Sequence, residues 1–143
     1  MRSRGFTLIE LLVALAIMAV VSAIAVPIYT QYSVRTQRTN AEKDLMMCAQ
    51  NLERLASTTF TYAGHVGGGD TGPVTANICV PTTTMYAITV TVANANTFTM
   101  RATPTSGPVL SNGMLEVDAN GAQRWDRSND GDFGDTNETS WAH

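Results

Sequence analysis

Glu10 is the residue whose chemistry is hardest to satisfy locally. From Phe6 to Val26 the chain reads FTLIELLVALAIMAVVSAIAV, with only Thr7, Glu10 and Ser22 polar. A carboxylate near the end of a membrane span costs up to about 2.5–3.5 kcal/mol, less close to the interface. Glu10 therefore needs a partner, and none is expected within the apolar run. Cys48 and Cys79 are too far apart for a redox CxxC pair and too few for a four-ligand zinc site. One disulfide or two buried thiols both fit at this point. The tail from Trp125 to Asp135 is acidic and punctuated by glycine. Asp126, Ser128, Asp130 and Gly131 match positions 1, 3, 5 and 6 of an EF-hand loop. Position 12 is Asn137, however, and Glu138 falls one place beyond it. A looser calcium site built from Asp126, Ser128, Asp130 and Asp132 competes with a solvated acidic loop, and the loop is the stronger reading. No other cofactor is implied. His65 lies in a glycine-rich stretch and His143 is the last residue; no nucleophile stands at motif spacing from a base. The chain is not expected to be an enzyme.

The elements that carry these residues follow from periodicity. The twenty-one residues from Phe6 to Val26 span roughly 31 Å as a helix, the thickness of a bilayer core. A conventional signal peptide is the alternative, with Ala23–Ala25 as its small-residue cleavage site. Pro27 bends the helix without necessarily ending it. Beyond it, Ala41, Leu45, Cys48, Leu52 and Leu55 form one apolar stripe at helical spacing. Arg35, Arg38, Lys43 and Arg54 read as a solvated face, available in an assembly to pair with acids such as Glu42 and Asp44 of a neighbour. The first helix is thus predicted from Phe6 to about Ser57.

The stretch from Ala63 to Pro81 is a loop by its glycines. Tyr86, Ile88, Val90 and Val92 then alternate with Ala87, Thr89 and Thr91, and Phe98, Met100 and Ala102 with Thr97, Thr99 and Arg101. Leu115 and Val117 make a third strand, Asn120-Gly121 signals a hairpin, and Gln123–Trp125 makes a fourth. The expected fold class is α+β: a long N-terminal helix on a three- to four-stranded antiparallel sheet. The whole chain has 143 residues, 44% hydrophobic and 15% charged, with net charge −3. So low a charge fraction argues against a disordered or nucleic-acid-coating protein. Without the first five residues, seven basic side chains face twelve acidic ones, or −5. Nucleic acid is therefore not expected as a partner.

A basic leader, MRSR, ends in Gly5 and is followed by Phe6, by Glu10 and by unbroken apolar sequence. The string GFTLIELLVALAIMAVVSAIAVPIYTQY resembles the N-terminus of type IV prepilins. That resemblance implies cleavage between Gly5 and Phe6 by a membrane prepilin peptidase, which also N-methylates Phe6. It makes Glu10 the family's assembly acid and Pro27 its helix-bending proline. Arg2 and Arg4 keep the N-terminus cytoplasmic. The implied organisation is a leader at 1–5, a membrane-spanning and filament-core helix at 6–28, and a periplasmic globular domain at 29–143. In the oxidising periplasm Cys48 and Cys79 are read as one disulfide. Glu10 of one subunit would pair with the Phe6 amine of the next and set an axial register.

The sequence from Tyr86 to Gly121 resembles small minor pilins of the PilE type. In those relatives a cysteine often precedes the glycine at Gly113 and bounds a C-terminal loop; here Asn112 stands in its place. The implied function is that of a major or minor pilin in a type IV pilus, serving pilus biogenesis, twitching motility and adhesion. Its partners are other pilin subunits, the prepilin peptidase, the inner-membrane assembly platform and the membrane. It would reside in the bacterial inner membrane before assembly and in the extracellular pilus afterwards. A type II secretion pseudopilin and a DNA-uptake competence pilin are the alternatives.

Overall fold

A computed structural model describes residues 6–66 and 69–141. Arg2, Arg4 and Gly5 of the leader, with His143, lie outside the described residues. The chain divides into two compact units, Met1–Ser33 and Val34–His143. The first helix, α1, is assigned from Leu8 to Thr59 with Pro27 inside it.

In the first unit, every large apolar side chain from Phe6 to Tyr32 is exposed. The segment is apolar and long enough to cross a bilayer, by length and composition. Pro27 does not end α1, and the Thr30 hydroxyl donates back to the Val26 carbonyl at 3.0 Å.

In the second unit, α1 buries Ala41, Leu45, Cys48, Ala49 and Leu52 in one cluster with the inner face of a sheet. The sheet has five strands: β1 (Gly72–Pro73), β2 (Tyr86–Ala93), β3 (Phe98–Pro104), β4 (Leu115–Asp118) and β5 (Gln123–Trp125). They follow chain order and each neighbouring pair is antiparallel. The additional strand is β1, drawn from the glycine-rich loop, where Gly72 faces Val90 and Pro73 faces Thr89. Two residues carry no alternation, so periodicity could not reveal it.

The register of β2 shifts between Val90 and Val92. Alternation therefore breaks there: Val90 is buried, Val92 is 45% exposed and Ala93 turns inward. A bulge adds one residue to one strand and reverses the facing of those that follow. The connection after β4 is longer than the two residues expected. Asp118 holds it, its carboxylate accepting from the amides of Asn120 and Ala122 at 2.9 and 3.0 Å. On the outer face, Glu116 is buried between Arg101 of β3 at 2.8 Å and Arg124 of β5 at 3.2 Å, tying three strands together.

Arg38, assigned to a solvated helix face, and Asp44, named as an acid for pairing with a neighbour, are both buried. Arg38 is 5% exposed and Asp44 is 4% exposed. Arg38 stands three residues before Ala41, and Asp44 four before Cys48, so helical spacing places both beside the apolar stripe. Glu42 is 14% exposed and ion-paired to Arg38 at 3.6 Å. Neither Glu42 nor Asp44 is thus the free surface acid that pairing with a neighbouring subunit would need.

Candidate functional site

The start of α1 carries a reciprocal cap. Thr7 precedes the first helical residue, and its backbone N–H and hydroxyl both donate to Glu10 Oε2, at 2.9 and 2.8 Å. The Glu10 amide donates to Thr7 Oγ1 at 3.4 Å. This is the capping-box arrangement, in which an N-cap Thr and an acid three residues on satisfy each other's orphan groups. The expectation that the apolar run offers Glu10 no partner is therefore corrected: Thr7 is one. Phe6 is 84% exposed, and Ile9, Val13 and Ile17 are exposed along the same helix. The apolar first part of α1 thus holds its one acid, Glu10, in a hydrogen-bonded cap.

In the second unit the first anchor is covalent. Cys48 and Cys79 form a disulfide, with Cα atoms 5.1 Å apart. One helical turn earlier, the Asp44 carboxylate accepts from the Thr82 amide at 2.8 Å, the Thr82 hydroxyl at 3.0 Å and the Thr83 amide at 2.8 Å. Disulfide and carboxylate together hold the segment Cys79–Thr83 to α1, where it enters β2.

A second anchor replaces the missing C-terminal disulfide. Asn112 accepts from Arg38 at 3.3 Å through its side-chain oxygen and donates to the Tyr86 hydroxyl at 2.9 Å. Its backbone carbonyl accepts from the Trp125 indole at 2.6 Å. The Arg38 guanidinium lies 3.9 Å from the centre of the Trp125 ring, a cation–π contact. Burial pulls the Arg38 pKa down and, despite the attraction of Arg38, pushes Glu42 above the usual carboxylate range. Burial likewise raises Tyr86, opposed by the Asn112 hydrogen bond. Gly113, at φ +73°, lies so close to the Asp126 carbonyl that any Cβ there would collide with it.

Most of the acidic tail is solvated, with Asp130, Asp132 and Asp135 exposed, but two of its acids are not. Asp126 and Glu138 are each 1% exposed. Oxygen atoms of Asp126, Asp130 and Glu138 lie within 4.8 Å of one another. Of the residues singled out from sequence, Asp126 and Asp130 thus converge, and Ser128 donates to Glu138 at 3.1 Å. Asp132 is not in this cluster; its carboxylate accepts from the Gly134 amide. Glu138, set aside for being one place off an EF-hand, is the third member. An EF-hand template fixes ligands by position, whereas here a longer loop returns Glu138 to the others. The set is all oxygen, the donor chemistry of a hard cation. Both oxygens of Asp126 and both of Glu138 already accept from amides or hydroxyls. Asp135 is pushed above the usual range by repulsion from Glu138, with Asp130, Asp132 and Asp126 adding to it.

Comparison with known proteins adds two family matches. Residues 1–26 match the prokaryotic N-terminal methylation motif. Residues 27–112 match a family described as type IV minor pilin ComP, DNA uptake sequence receptor. A fimbrial protein of Pseudomonas aeruginosa is 48% identical over 42 residues, covering 29% of this chain and 27% of that protein. This chain therefore aligns to little more than a quarter of that relative's length. The prepilin peptidase-dependent protein D of Escherichia coli (strain K12) is 31% identical over 133 residues, 89% of this chain and 83% of that protein. The type IV major fimbrial protein FimA of Dichelobacter nodosus is 39% identical over 75 residues, 48% of this chain and 47% of that one. No solved structure matches the chain.

Proposed function

The chain belongs to the type IV pilin family, and on that premise we propose that it is a minor subunit of a type IV pilus, stored in the inner membrane by α1 and then drawn into the filament. One observation carries this reading: a solvent-exposed apolar helix with a single acid four residues after Phe6. In a low-dielectric filament core a carboxylate is costly unless paired. The Phe6 amine freed by leader cleavage, with a reference pKa of about 7.7–8.0, is the matching cation. Glu10 would leave the Thr7 cap and pair with the Phe6 amine of the adjoining subunit. Processing is assigned to Gly5 and Phe6, assembly to Phe6, Glu10 and Pro27, and the function is assembly rather than catalysis. The other partners are the prepilin peptidase and the inner-membrane platform. No cation is assigned to the acidic loop, because its two buried carboxylates are already hydrogen-bonded.

The test is Glu10→Val. Mass spectrometry should find wild type and variant alike starting at N-methylated Phe6, or at Phe6 with reduced methylation in the variant. Membrane insertion should persist while the variant is depleted at least tenfold from sheared pili. A mature start near Ala25 would mean a conventional signal peptide. Normal incorporation of the variant would show that the carboxylate sets no register.

The matched minor-pilin family favours one second reading, a role in DNA uptake. Of the basic side chains of the second unit, Arg38 is buried and Arg101 and Arg124 are ion-paired to Glu116. Arg35, Lys43, Arg54 and Arg127 remain exposed on a chain with a net acidic excess, so a salt-sensitive shift of DNA at low micromolar protein is the observation this reading requires.

A further inference from the structure

A different part of α1 bears a concentrated positive charge that filament-core packing does not use. Arg35, Thr36, Arg38, Thr39, Asn40 and Lys43 line a cleft of about 280 Å³, at the small end of the ~300–1,000 Å³ usual for ligand pockets. Arg38 is buried and held by Glu42, Asn112 and the Trp125 ring, so the cations this wall presents to solvent are the Arg35 guanidinium and the Lys43 ammonium, and no carboxylate lines it. Glu42 is turned to Arg38. Arg35 and Lys43 are exposed and make no ion pair among the described residues. Not one acid occurs from Leu11 to Ala41.

The place of these cations in the chain is informative. Arg35, Arg38 and Lys43 all fall within 15 residues after Ile28. Topology selection disfavours Lys and Arg so near the far end of a span; the contacts of Arg38 account for that residue, but Arg35 and Lys43 still need a reason. Tyr29 and Tyr32, exposed and just ahead of them, are of the type that settles at headgroup level. Guanidinium forks match phosphate geometry, and an ammonium beside hydroxyl donors completes a phosphate-binding set.

We propose that this cleft binds the phosphate of an anionic phospholipid headgroup in the outer leaflet of the membrane that stores the subunit. The inference rests on the membrane-stored pilin reading. The headgroup holds the helix at a fixed depth before assembly and is given up when the subunit is extracted.

The full-length protein, reconstituted in mixed phosphatidylcholine and phosphatidylglycerol vesicles and extracted in mild detergent, should retain phosphatidylglycerol preferentially, as read by native mass spectrometry. Each basic contact near an anionic surface contributes about fivefold, so Arg35→Gln with Lys43→Gln should cut the preference about 25-fold. Arg54→Gln, exposed on the same helix but outside the cleft, should leave it unchanged. Insertion with no lipid preference, or an equal preference in the double variant, would overturn the proposal while leaving the pilin reading intact. Failure of the wild type to float with the vesicles would overturn both. Loss of phosphatidylglycerol to millimolar inorganic phosphate would reassign the cleft to a soluble anion. Displacement by duplex DNA, with the same dependence on Arg35 and Lys43, would reassign it to nucleic acid.

Discussion

Gly113 and Asp135 show how single residues limit this molecule. At φ +73° and against the Asp126 carbonyl, Gly113 has no room for a side chain. Gly113→Ala should therefore destabilise the folded chain by about 2–4 kcal/mol, read as a lower denaturant midpoint. Asp135 behaves differently. Its folded pKa is raised, chiefly by Glu138, so the folded state binds that proton more tightly than the unfolded chain. The associated stability is present below the ordinary carboxylate pKa and is lost as pH rises through the folded value. Asp135→Asn should raise the melting temperature at pH 7, and its advantage should vanish at about pH 3, below the ordinary carboxylate pKa. A constant advantage at every pH would show that charge is not the cause. Asn112 was visible in the sequence as a replaced cysteine. Its three contacts, to Arg38, Tyr86 and Trp125, were not, because they join residues remote in sequence.

At the scale of elements, α1 and the segment entering β2 are joined twice, by Cys48–Cys79 and by Asp44 to Thr82 and Thr83. A disulfide closing a loop with sequence separation 31 contributes about 3.5–4 kcal/mol in the chain-entropy model. Cys79→Ser should lower the melting temperature accordingly and leave leader cleavage unaffected. Asp44→Ala should cost about 2–4 kcal/mol by removing a charged acceptor and stranding buried donors. It should speed hydrogen exchange at the Thr82 and Thr83 amides although the disulfide is intact. Unchanged exchange would mean that the disulfide alone orders this segment. The apolar stripe of α1 and strands β2 to β5 were legible because their periods are long enough to count. Strand β1 and the β2 bulge were not, because each depends on pairing with a neighbour rather than on its own pattern.

Across the whole molecule, the buried core draws its residues from Ala41 onward, all within Val34–His143. A fragment starting at Val34 should therefore fold in water, with a cooperative melt and the disulfide formed. A molten or aggregated fragment would show that the first unit supports the second. The sequence by itself determined the α+β class, the apolar span and the one acid, Glu10, within that span, because composition and spacing along one chain carry that information. The Thr7–Glu10 cap was legible too, since Thr and Glu three residues apart ahead of an apolar run are the signature of a capping box. The sequence could not show that Arg38 and Asp44 are buried, as a charged side chain goes inside only when tertiary partners compensate its desolvation. Burial of Asp126 and Glu138 in the otherwise exposed tail was likewise a tertiary decision. Glu138 reaches Asp126 only because Trp125 and Trp141 are fixed to the body, with the Trp125 amide bonded to the Glu138 carbonyl and the Trp141 indole to the Arg124 carbonyl. Contacts of that kind depend on how distant segments pack, which no local pattern encodes.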